Sequence, residues 1–87
     1  MGDCKAVTLA YDYGRHKGRY DALKEFLKLS KDNLRKSLAR EILDSEKPIV
    51  DAVQKAFMRS AGSQNLDEYH KGYSFGWDEA FDKINRL

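Results

Sequence analysis

The sequence predicts an all-α fold: a compact four-helix domain with two long helices packed on each other and two shorter helices between them. Three observations predict it. Apolar residues recur at helical spacing along most of the 87-residue chain. Only one proline interrupts it, and no Gly/Ser-rich linker divides it. The pattern Y-x-x-G-x-x-x-G-x-x-x-A occurs twice, from Tyr11 to Ala22 and from Tyr69 to Ala80.

The first helix is expected over about residues 8–29, after a flexible N-terminus of residues 1–7. AVTLAY near the start has strand character, but a lone strand has nothing to pair with. Ser30 and Asp32 offer caps for a second helix over about residues 32–43, carrying Leu34, Leu38, Ile42 and Leu43 at helical spacing. Ser45 can cap a third, with Pro48 in its first turn, where an amide would lack a partner anyway. Its apolar stripe is Ile49, Val50, Val53, Phe57 and Met58, and Gly62 is its C-cap candidate. N-L-D-E from Asn65 resembles a capping box and opens the fourth helix, about residues 66–86. Residues 8–87 thus form one domain.

The two long helices repeat one another. Tyr11 matches Tyr69, Gly14 Gly72, Gly18 Gly76, Ala22 Ala80, Phe26 Ile84 and Leu29 Leu87, at a constant offset of 58 residues. At 100° per residue these positions share one stripe, bare in the middle and bulky at the ends. Each glycine costs about 1 kcal/mol relative to alanine in a helix interior, so the four together sacrifice roughly 4 kcal/mol. Close backbone approach is the compensation expected, with the two helices crossing at their glycines. A groove for a large side chain, a ligand or a partner is the competing use of such a stripe.

The copies differ beside the stripe. Tyr73 and Trp77 stand where the first helix has Arg15 and Arg19. If the stripes face each other, the guanidinium groups could stack on those rings; otherwise the arginines are solvated and the aromatics are core. The first helix also carries a second apolar stripe, Leu9, Tyr13, Tyr20 and Leu27 with Leu23 alongside, so it should be sandwiched. Phe75 falls outside the single apolar side of the fourth helix and is an exposed-aromatic candidate.

Chemistry-bearing motifs are few. Asp12/His16 and Asp67/His70 have helical spacing but lack the further carboxylates that a bundle metal site needs, so no metal or cofactor is expected. Cys4 has no base or acid placed with it in sequence, and no nucleophile elbow, P-loop or dinucleotide fingerprint occurs, so no enzyme is expected. A net charge of +2, from 16 basic and 14 acidic residues, is too mild for a dedicated nucleic-acid binder. Lys31, Arg35, Lys36 and Arg40 alternate with Asp32 and Glu41, as on a solvated face. No apolar run approaches a membrane span, no secretory apolar region is present, and one cysteine suits a reducing compartment, so a cytoplasmic protein is expected.

The function expected is a small non-enzymatic protein-interaction module, an adaptor or inhibitor of a larger protein. Its size and helix content also suit small regulators of phages and mobile elements. The interface residues expected are Tyr13, Tyr20, Leu27 and Phe75, and a limited core makes self-association a further expectation. The alternative is a binder of a nucleotide-like or other phosphate-bearing ligand, with Arg15 and Arg19 on the phosphate and Tyr11, Tyr73 and Trp77 stacking on the base.

Overall fold

In the computed structural model, which describes residues 2–59 and 66–86, three helices follow one another: α1 (Gly2–Leu29), α2 (Asn33–Arg59) and α3 (Leu66–Asn85). Among the described residues there is no strand. The last helix falls where periodicity places it, and the first ends at Leu29 as expected but begins at Gly2, ahead of the expected start near residue 8. The four-helix expectation is wrong. The second and third predicted helices are a single 27-residue helix running through Pro48. The Gly62 and Asn65 caps lie outside the described residues.

Pro48 misled because Ser45-Glu46-Lys47-Pro48 imitates the start of a helix. Inside α2 the proline forfeits one hydrogen bond and crowds the carbonyl of Asp44, at about 3 kcal/mol. Asp44 and Pro48 both face solvent, so water can solvate the orphaned carbonyl. Continuity is worth more than the bond, because α2 buries Ala39, Glu46, Val50 and Phe57 along one side. The capping expected of Asp32 is realised: its Oδ1 accepts the amides of Leu34 at 3.0 Å and Arg35 at 3.3 Å. Ser30 closes the preceding helix, its amide donating to the carbonyl of Phe26 at 2.8 Å.

Three helices joined this way run up, down and up, so α3 lies parallel to α1. The two are joined through the glycines. A Cβ added at Gly14 would lie 2.9 Å from the amide nitrogen of Tyr73, and one at Gly18 2.9 Å from the carbonyl carbon of Tyr73. At Gly72 it would meet the amide nitrogen of Arg15 at 3.0 Å, and at Gly76 the carbonyl carbon of Arg15 at 2.8 Å. In all four cases the nearest atom is a backbone carbonyl oxygen, of Tyr69, Tyr73, Tyr11 and Arg15 in that order. The glycine hydrogen replaced by such a Cβ therefore points at a carbonyl, a weak contact worth about 0.5–1 kcal/mol.

These contacts come in matched pairs. Adding 58 to each residue of the α1 side gives the residue of the α3 side, so an approximate two-fold axis runs between the helices. Ala22 with Phe26 and Ala80 with Ile84 carry both stripes downward into the core, where Leu23 and Ala39 join them. Trp77, Phe81, Leu27, Ile42 and Leu43 pack around that cluster. Helix α2 covers the other side of α1 and meets α3 mainly through side chains, Ala39 in the shared core and Phe57 stacked 6.3 Å from Tyr69. The expectation that the middle of the chain covers the second face of the first helix thus holds for α2. The result is an elongated body of 46 × 20 × 17 Å.

Candidate functional site

Two flanks border the glycine seam, and the pseudo-two-fold relates them. On the first, Arg15 of α1 donates through Nη2 to Oε2 of Glu79 on α3 at 3.0 Å, and through Nε to Oε1 at 3.4 Å. Arg19 approaches the same carboxylate at 3.5 Å. The hydrogen bond to Glu79 raises the Arg15 pKa further, against a smaller opposing effect of burial. The Arg15 guanidinium also stands 5.4 Å from the centre of the Phe75 ring, which tilts against Tyr11 at 6.5 Å.

On the second flank the same two positions of the repeat hold different chemistry. Tyr73, the counterpart of Arg15, donates its hydroxyl proton to Oδ2 of Asp21, the counterpart of Glu79, at 2.7 Å. Lys17 completes the group, 3.3 Å from Oδ1 of Asp21. Burial first, then the bond to Asp21, pushes the Tyr73 phenol well above the ordinary tyrosine range. Burial likewise raises Tyr69. Rings one turn apart on α3, Tyr69, Tyr73, Trp77 and Phe81, succeed one another at 6.0, 6.1 and 5.6 Å. Such a ladder follows from i, i+4 spacing, which stacks side chains along one face.

A third polar contact joins α1 to α2. Nδ1 of His16 meets Oε1 of Glu46 in a very short contact, and Glu46 is only 5% exposed. A carboxylate so deeply placed would be costly without a partner, and His16 supplies it. No buried side-chain nitrogen or oxygen among the described residues lacks a hydrogen-bond partner.

The structure separates the predicted site residues. Arg15, Arg19 and Tyr11 gather on one flank with Glu79, while Tyr73 and Trp77 stand on the other with Asp21. The arginines therefore do not stack on Tyr73 and Trp77; Arg15 finds Phe75 instead. Tyr13 packs between Phe57 and Tyr69, its ring centre 5.1 Å from each, and Leu27 lies against the core. Tyr20 is half-buried beneath Lys17 and Lys24, whose ammonium groups lie 5.5 and 5.2 Å from its ring centre. Phe75 is 48% exposed and opens on a shallow cleft of about 430 Å³ shared with Asp78, Glu79 and Asp82. Asp12 and Asp67 gain no metal-binding neighbours: among the described residues no three His, Cys, Asp or Glu side chains gather to hold a metal.

Sequence reasoning missed Glu79, Asp21 and Glu46. The first two were within reach, because both are carboxylates at the same position of the repeat. Glu46 gave no such signal, since its partner lies 30 residues away and nothing in the local pattern marks it. Comparisons with protein-family models, with characterised proteins and with solved structures find no match to this chain. No helix among the described residues is long and apolar enough to cross a membrane.

Proposed function

We propose that the chain is a small non-enzymatic interaction module that docks a helical surface on another protein, as an adaptor or inhibitor, in the cytoplasm. The observation that carries this reading is Phe75. A large aromatic ring on a well-packed helix stays half in water, with Tyr11 and Arg15 fixing it from one side and a cleft open on the other. Rigid aromatic anchors of this kind lose little entropy on binding and contribute disproportionately to interfaces. Leu29 and Leu34, beside the α1–α2 turn, add exposed apolar surface at one end.

The alternative, a phosphate-bearing ligand held by Arg15 and Arg19 with Tyr11, Tyr73 and Trp77, has less support. Glu79 already occupies both arginines, and two of the three rings meant to stack, Tyr73 and Trp77, lie across the seam from them. If a phosphate did displace Glu79, Arg15→Ala or Arg19→Ala would abolish thermal stabilisation by a nucleotide, and salt would weaken it.

The test is affinity capture from the cells that make the protein, using wild type, Phe75→Glu and Tyr20→Glu. Each variant is first shown to keep its helical circular dichroism. Loss of the captured protein with Phe75→Glu supports the proposal. An identical captured set from all three chains counts against this surface.

A further inference from the structure

The repeat sets two outward faces in opposition. On α1, Lys17, Tyr20, Lys24 and Lys28 fall within an arc of about 80° at 100° per residue. Their counterparts on α3 under the 58-residue offset are Phe75, Asp78, Asp82 and Arg86. The pseudo-two-fold turns one face into the other, so they look in opposite directions from the seam. One is basic around a half-buried tyrosine, and the other is acidic around an exposed phenylalanine.

Some of these charges are satisfied locally. Lys17 is held by Asp21 at 3.3 Å, and Arg86 sits on Asp82 at 3.2 Å. Lys24, Lys28 and Asp78 form no ion pair among the described residues, and all three are exposed. Lys24 and Lys28 also border an open cleft of about 300 Å³ beside Trp77, which Asp21 and Glu25 line as well, and a second cleft lies beside Phe75 on the other face.

We propose that a second copy of this chain is the occupant of the Phe75 face. The acidic α3 face of one copy docks on the basic α1 face of the next, with Phe75 against Tyr20 and its lysines, and Asp78 toward Lys24 and Lys28. This deepens the interaction-module reading by naming the partner, and it rests on that reading. The two faces are different surfaces, so the contact is heterologous and leaves each dimer with one free face of either kind. The copies therefore add head to tail, and the association weakens with salt because exposed charges steer it.

The experiment is sedimentation velocity over a range of protein and salt concentrations. Wild type is compared with Phe75→Ser/Asp78→Asn, which disables the acidic face, and with Lys24→Gln/Lys28→Gln, which disables the basic face. All the substituted side chains are exposed, and circular dichroism checks that both variants fold. Wild type is expected to rise above its 10.0 kDa monomer mass with concentration at low salt and fall back at high salt. Each variant should need about tenfold more protein, or more, to do the same. An equimolar mixture of the two variants should form a species of two chains and nothing larger, since each retains one working face. A wild type that stays monomeric at low salt overturns self-docking. So does association that neither variant weakens, or a mixture that fails to pair. If wild type is monomeric and Phe75→Glu still loses a captured protein, the interaction module stands and only the identity of its partner falls.

Discussion

Tyr73 and Arg15 are one position of the repeat used in two ways, and each binds a carboxylate across the seam. The Tyr73 phenol keeps its proton in the folded chain, its pKa lying above the ordinary value of 10.0 because of burial and Asp21. A raised pKa means that the folded state holds the proton more tightly than the unfolded state. Its contribution to stability is complete below pH 10.0 and is lost as pH rises through the folded value. Denaturant unfolding across that alkaline range should show wild type losing stability more steeply than Tyr73→Phe. Some slope will remain in the variant from Tyr69. Equal slopes would mean that Tyr73 does not hold its proton on Asp21. Glu79 is a contrasting case, since its side chain is 31% exposed and that of Arg15 39%. Glu79→Gln should cost no more than about 1 kcal/mol in the same unfolding experiment, as for partly solvated ion pairs.

At the scale of elements, α1 and α3 were legible in the sequence and α2 was not. The glycine stripes announced themselves because each pays a propensity cost that only close packing offsets, and the offset of 58 tied them together. Asp32 was legible as a cap for the same reason: a side chain that competes with helix in its interior is favoured at its start. The continuity of α2 was hidden because Ser45 and Pro48 are good residues at a helix start, and local chemistry cannot reveal the tertiary burial that overrides them. The pairing of His16 with Glu46 was hidden because it needs the path of α2 over α1. If α2 is continuous, Pro48→Ala restores a hydrogen bond and should stabilise the chain by up to about 3 kcal/mol. A helix that instead starts near Ser45 would gain nothing from that change. His16→Leu should cost about 1–3 kcal/mol by leaving Glu46 buried without a partner, and His16→Leu/Glu46→Leu should recover much of the loss. Thermal or denaturant unfolding of the four chains decides it.

At the scale of the whole molecule, one up-down-up path brings two copies of a helical motif into parallel register. The pseudo-symmetric seam leaves the flanks free to diverge, into Arg15–Glu79 and Tyr73–Asp21 beside it and into a basic and an acidic face outside it. The interaction surfaces proposed on α1 and α3 depend on that seam for their geometry, so its closeness is the central claim. The most direct test is the stability of Gly18→Ala and Gly76→Ala by denaturant unfolding. In an open helix each change would stabilise by about 1 kcal/mol. Here the added methyl meets the backbone of Tyr73 or Arg15, which cannot turn aside as a side chain could. Both variants should therefore lose about 1–3 kcal/mol or more, with the sign opposite to helix propensity. A gain in stability at both positions would contradict the close parallel crossing of α1 and α3.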